Sequence, residues 1–133
     1  MNRLRLAELG PELALRVLDE TTSTNDVARE LAHRGAAHGS AVFADFQTAG
    51  RGRIGRRWVA PPGANVLLSI VLRDDLPVES IGMVSLAAAV AVAEACGPDW
   101  WVKWPNDVVS EDGLKVAGIL AEAEWARGSP LYV

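Results

Sequence analysis

The chain has 133 residues, half of them hydrophobic, which fits one domain with a substantial core and excludes a disordered composition. A formal net charge of −4 excludes a generally basic, nucleic-acid-coating surface, and the single cysteine, Cys96, excludes an internal disulfide or a multi-cysteine zinc cluster. There is no uncharged apolar run of roughly 18 residues and no basic-then-apolar leader, so a cytoplasmic protein with no membrane partner is expected.

In chain order, Leu4, Leu6 and Leu9 form a first apolar group, and Gly10-Pro11 separates it from an alternating run at Leu13, Leu15 and Val17 that predicts a strand. Thr21 to Asp26 is dense in helix-capping side chains, with Ser23 and Asp26 at capping-box spacing, and a helix is predicted from about Asn25 to His33, stopped by Gly35. The same Ser-Thr-Asn cluster could instead hold the polar edge of a ligand at a helix N-terminus. Ala41 to Phe46 predicts a strand, and Asn65 to Arg73 a long one, apolar enough to be covered on both faces. Val78 to Ala95 has small and apolar residues at helical spacing, rich in alanine for close packing on a sheet, and ends at Gly97-Pro98. Cys96 closes this run and is expected to be a buried, inert thiol. Trp100 to Trp104 predicts a strand broken by Pro105. Val108-Val109 and Leu114 to Ala123 predict a hairpin turning near Asp112-Gly113, and Arg127-Gly128-Ser129 a turn into a last strand from Pro130. The whole, residues 1–133, reads as one α+β domain: a sheet with at least two helices on one face.

Between the strands ending at Phe46 and starting at Asn65 lies Gln47 to Trp58, with three glycines and four arginines. Glycines that let the backbone close in, guanidinium groups and a terminal aromatic ring suit either a loop enclosing an anion or a solvated basic loop. Its glycine spacing only approximates Gly-x-Gly-x-x-Gly, and a strand follows instead of a helix. No βαβ unit is therefore expected around it, and Walker-type and dinucleotide readings fall away. Lys103, between tryptophans, and Lys115, opening Lys-Val-Ala-Gly-Ile-Leu, sit at strand ends. Each amine either stays at the sheet surface or joins Arg51 and Arg53 around a phosphate. Gly118 suits a backbone approached closely by another group. Asn106 and Asp107, after Pro105, are polar ligands or simply turn formers. His33 and His38 lack metal-site spacing and read as surface-loop histidines, and no protein-held metal is expected.

Taken in order, Thr22-Ser23-Thr24-Asn25, Gln47-Thr48-Ala49-Gly50-Arg51-Gly52-Arg53 with Gly55-Arg56-Arg57-Trp58, Lys103-Trp104-Pro105-Asn106-Asp107 and Lys115-Val116-Ala117-Gly118-Ile119-Leu120 resemble the motif set of biotin protein ligases. The resemblance implies a mixed, largely antiparallel sheet with helices on one side, related to lipoate ligases. It implies an enzyme that joins biotin to ATP as biotinyl-5′-AMP, with Mg²⁺ on the outer phosphates, and passes biotin to a lysine of a carboxylase's biotin carboxyl carrier domain. Ser23, Thr24 and Gln47 would hold the ureido head of biotin. Gly50, Arg51, Gly52 and Arg53 would form a mobile lid over the adenylate, with Trp58 as an aromatic wall. Lys115 would hold the biotin carboxylate and α-phosphate, and Asn25, Lys103, Trp104, Asn106, Asp107 and Gly118 would line the same site. With no helix-turn-helix before Leu13, the resemblance is to the monofunctional type and DNA is not an expected partner; the sequence leaves homodimerisation open. Members of the family continue into further strands and a small β domain, so the chain reads as truncated at its C-terminus. A lipoate-type acyl ligase and a non-catalytic biotin-binding fragment are the alternatives.

Overall fold

The computed structural model describes residues 14–73, 77–126 and 129–133. The leucine group before residue 13, the Asp74-Asp75 strand end and the turn at residues 127–128 lie outside them.

Strand β1 (Leu15–Thr21) leads into helix α1 (Thr24–His33), which returns the chain to β2 (Ala41–Gln47), parallel to β1. This is a β-α-β crossover, which the sequence reading did not anticipate. It precedes the arginine loop, and the strand after the loop, β3 (Leu67–Ile70), pairs antiparallel with β2, so the loop glycines still open no helix. Helix α1 lays Ala28 and Ala32 on Val42 and Val71, with Leu18, Val27 and Leu31 around them, and its alanines let helix and sheet approach closely.

β3 is shorter than predicted and is not covered on both faces. Leu67 and Ser69 are buried, while Leu68 and Ile70 on the opposite face are exposed. An apolar run alone does not distinguish a central strand from one whose second face is open.

A 3₁₀ turn (Val78–Ser80) opens α2 (Ile81–Cys96), which ends where Gly97, at φ 110°, donates to the carbonyls of Ala93 and Glu94. The α2 alanines Ala89 and Ala93 pack on Val108 of a second sheet, together with Trp100, Val102, Ala117 and Ile119. That sheet is an antiparallel meander of β4 (Trp100–Lys103), β5 (Asp107–Ser110) and β6 (Lys115–Gly118), with the predicted turn at Gly113. The stretch read as one strand from Leu114 to Ala123 breaks after Gly118, and β7 (Ala123–Ala126) starts a separate hairpin with β8 (Ser129–Tyr132). Cys96 is exposed at the C-terminal end of α2, not buried: the helix presents Ala89 and Ala93 to the sheet and leaves its last residue outside.

The described chain is thus α+β, with one parallel and four antiparallel strand pairings in three sheets, each three-stranded sheet carrying its own helix. Among the described residues no helix is long and apolar enough to cross a membrane.

Candidate active site

Four of the predicted residues, Ser23, Thr24, Asn25 and Gln47, come together where the carboxyl ends of β1 and β2 meet the start of α1. Ser23 occupies the N-cap position of α1 with extended backbone, yet its side chain makes no capping bond. The first helical N–H, that of Thr24, donates instead to Gln47 Oε1 at 2.7 Å, and the Thr24 hydroxyl lies 3.0 Å from the same oxygen. Gln47, at the end of β2, therefore fixes the start of α1. Asp26, the expected capping-box partner of Ser23, turns to Arg29 and Arg51.

Beneath this pair lies Ser69, 5 % exposed, which the sequence reading missed. Its hydroxyl is 2.8 Å from Thr24 Oγ1 and also bonds to Asn25 Oδ1. It has one proton and can donate to only one of them at a time, so the Thr24 and Ser69 hydroxyls can re-aim together. The available signal was a single polar residue in an otherwise apolar strand, since a buried hydroxyl needs partners.

The arginine loop is a small hairpin. Arg51 and Arg57 form an antiparallel bridge, Gly52 N donates to Arg56 O at 2.7 Å, and Trp58 N donates to Gly50 O at 2.9 Å. A Cβ on Gly50 would lie 2.6 Å from the Trp58 carbonyl oxygen, so only glycine permits that closure. At the tip, Ile54 and Gly55 both have positive φ, 56° and 70°, as a type I′ turn requires.

The loop bridges the two sheets. On one side Arg51 Nη1 donates to Asp26 at 2.9 Å and Nη2 to Glu122 at 3.0 Å, and Asn25 Nδ2 reaches the same Glu122 carboxylate at 3.1 Å. Hydrogen bonding to Arg51 holds Asp26 below its ordinary value. Burial pushes Glu122 up, but the bonds from Arg51 and Asn25 outweigh it and its value is also lowered. The hydrogen bonds to Asp26 and Glu122 raise the already high Arg51 value, so the guanidinium stays charged. On the other side Arg53 Nη1 donates to Asn106 Oδ1 at 3.2 Å, and the Asn106 amide is held by the carbonyl of Ile119.

Lys115 curls back along β6: its Nζ is 2.7 Å from Asp107 Oδ1 on β5 and 5.4 Å from the centre of the Trp58 ring. A Cβ on Gly118 would lie 2.9 Å from Lys115 Nζ and 3.2 Å from Trp58, so this glycine makes room for a cation stacked on an aromatic ring. An open cleft of about 560 Å³ follows the loop from Ala49 to Arg57, closed by Leu120 and Glu122.

The predicted residues thus form two groups. Ser23, Thr24, Asn25 and Gln47 gather at the start of α1, while Arg53, Trp58, Asn106, Asp107, Lys115 and Gly118 gather on the second sheet. Arg51 belongs to the first group. Lys103 faces Asp107 in the ladder but is exposed, and Trp104, on a cis peptide bond to Pro105, is 80 % exposed. His33 is not a loop residue: it ends α1 and meets Glu124 of β7 at 2.7 Å. Asp26, Ser69 and Glu122 were not foreseen; an acid in an apolar stretch, as Glu122 is, signals a buried-side partner.

Residues 17–129 match the Biotin/lipoate A/B protein ligase family. The chain is 44% identical over 110 residues to the bifunctional ligase/repressor BirA of Bacillus subtilis, covering 80% of this chain and 34% of that protein. It is 43% identical over 117 residues to the biotin--[acetyl-CoA-carboxylase] ligase of Mycobacterium tuberculosis, covering 81% and 44%. The biotin protein ligase of Leishmania major in complex with biotinyl-5-AMP superposes with a TM-score of 0.63 at 27% identity, over 92% of this chain and 56% of that one. The chain therefore spans between about a third and a half of the length of the curated relatives it matches.

Proposed function

The chain belongs to the biotin/lipoate A/B protein ligase family, and from that premise we propose that it forms biotinyl-5′-AMP from biotin and ATP and passes the biotinyl group to a lysine of a carboxylase carrier domain. The observation that carries this reading is the pairing of a neutral hydrogen-bonded cluster, Thr24, Gln47 and Ser69, read here as the ligand crevice, with an arginine-lined cleft one loop away.

A ureido group offers one carbonyl oxygen and two N–H donors. The Thr24 and Ser69 hydroxyls, which can re-aim, and the Gln47 amide suit it without any charge. Attack of the biotin carboxylate on the α-phosphorus, which expels pyrophosphate as the α–β anhydride bond breaks, brings two anions together. Lys115 and Arg53 offset that repulsion, and displacement of Asp107 from Lys115 by the incoming phosphate frees the ammonium for it. Trp58 covers the lysine and keeps water from the mixed anhydride, whose acyl carbon the neutral acceptor amine then attacks, releasing AMP. Arg51 and the Gly50–Trp58 closure hold the loop that carries Arg53 and Trp58. Among the described residues no three His, Cys, Asp or Glu side chains are grouped to hold a metal ion, and Mg²⁺ would instead ride on the outer phosphates of ATP and offset their charge.

Calorimetry with biotin and with lipoate tests the ligand. Biotin is expected to bind, and Thr24→Val, which removes one hydroxyl at constant shape, is expected to weaken it about tenfold. Preference for lipoate, or an unchanged affinity in Thr24→Val, would contradict the reading.

A further inference from the structure

Arg51 is not a free cation. Its guanidinium is divided between Asp26 of α1 and Glu122 ahead of β7, and Arg29 sits on the other oxygen of Asp26. Two acids and two arginines make a set that is neutral overall, so this corner exerts little pull on an anion. Arg53 and Arg57, by contrast, donate to neutral acceptors, Asn106 Oδ1 and the Thr48 carbonyl. The Glu122 carboxylate has a second task, accepting from Asn25 Nδ2, while Asn25 Oδ1 receives the Ser69 hydroxyl. One carboxylate therefore touches both the arginine loop and the hydrogen-bonded chain that runs Asn25, Ser69, Thr24, Gln47.

We propose that Glu122, seconded by Asp26, is a positioning residue: through Arg51 it latches the arginine loop onto the N-terminal turn of α1, and through Asn25 it ties that closure to the order of the Ser69–Thr24–Gln47 crevice. Arg51 then serves the loop's position, and the charge offered to an anion comes from Arg53 and Lys115. The link to the ligand crevice rests on the biotin reading; the latch itself does not.

The loop's own arginines supply the test, because trypsin cuts after Arg53, Arg56 and Arg57 only when the hairpin opens, and exposed Arg34 is an internal reference. Glu122→Gln is expected to speed cleavage at the three loop sites about fivefold relative to Arg34, with Asp26→Asn in the same direction. Arg51→Ala combined with Glu122→Gln is expected to be no faster than Arg51→Ala alone, since both remove one latch. Unchanged loop rates, additive effects, or an equal rise at Arg34 would overturn the proposal. In a biotin titration Glu122→Gln is expected to lose affinity severalfold while Glu111→Gln, in the exposed β5–β6 turn, is not; equal affinities would overturn the link to the crevice. If the unaltered chain does not bind biotin, the functional reading falls, and the cleavage rates still decide the latch.

Discussion

At the scale of single residues, the loop tip is a place where sequence and backbone disagree. Ile54 is β-branched, 88 % exposed and in left-handed backbone, a conformation that favours Gly and Asn and costs other L-residues roughly 1–2 kcal/mol. With its side chain in solvent, nothing is lost on replacing it, so Ile54→Asn is expected to stabilise the hairpin by about 1 kcal/mol, read as slower loop proteolysis. The ion pairs at its base set a pH dependence. Asp26 and Glu122 have values lowered from 3.8 and 4.5 in the folded chain, so their stabilisation is full at neutral pH and is lost as the pH falls through those lowered values. Loop cleavage by an acid-tolerant protease should therefore rise below about pH 4 before the rest of the fold opens. This acid pairing was not legible in the sequence. Asp26 reads as a capping residue and Glu122 lies far along the chain, and only their convergence on Arg51 gives them a common task.

At the scale of elements, both helices were legible, the first from its capping cluster and the Gly35 stop, the second from small residues at helical spacing that suit close packing on a sheet. In α2 the prediction is a steric one. Ala89 is fully buried against Val108, and Ala89→Leu inserts three carbons where no space exists, so a destabilisation of about 1–3 kcal/mol is expected in denaturant unfolding. A neutral or stabilising result would mean that the helix rides further from the sheet. Strand boundaries were less legible. The apolar run from Leu114 to Ala123 contains a break after Gly118, because the backbone there turns to hold Asn106, with Ile119 N donating to Asn106 O at 2.8 Å. The parallel pairing of β1 and β2 was not legible either, since local periodicity carries no information on which strands meet.

At the scale of the whole molecule, the described residues form two small helix-covered sheets and the β7–β8 hairpin, and the arginine loop bridges the two larger sheets, Arg51 on one side, Arg53 and Trp58 on the other. Motif order gave the family, and the fold explains why residues far apart in the chain share a site. Gln47 and Thr24 meet because a crossover helix starts where its sheet's strands end. Lys115, Asp107 and Gly118 meet because a hairpin puts β5 beside β6. The central claim, that this assembly activates biotin with ATP, is tested most directly by biotin-dependent exchange of labelled pyrophosphate into ATP. Lys115 is on the surface, paired with Asp107 and stacked on Trp58, so Lys115→Ala should cost about 1 kcal/mol of stability and retain the fold by circular dichroism. The account predicts exchange that requires biotin and drops at least about a hundredfold in the folded Lys115→Ala variant; exchange that proceeds with lipoate in place of biotin, or that survives the loss of Lys115, would contradict it.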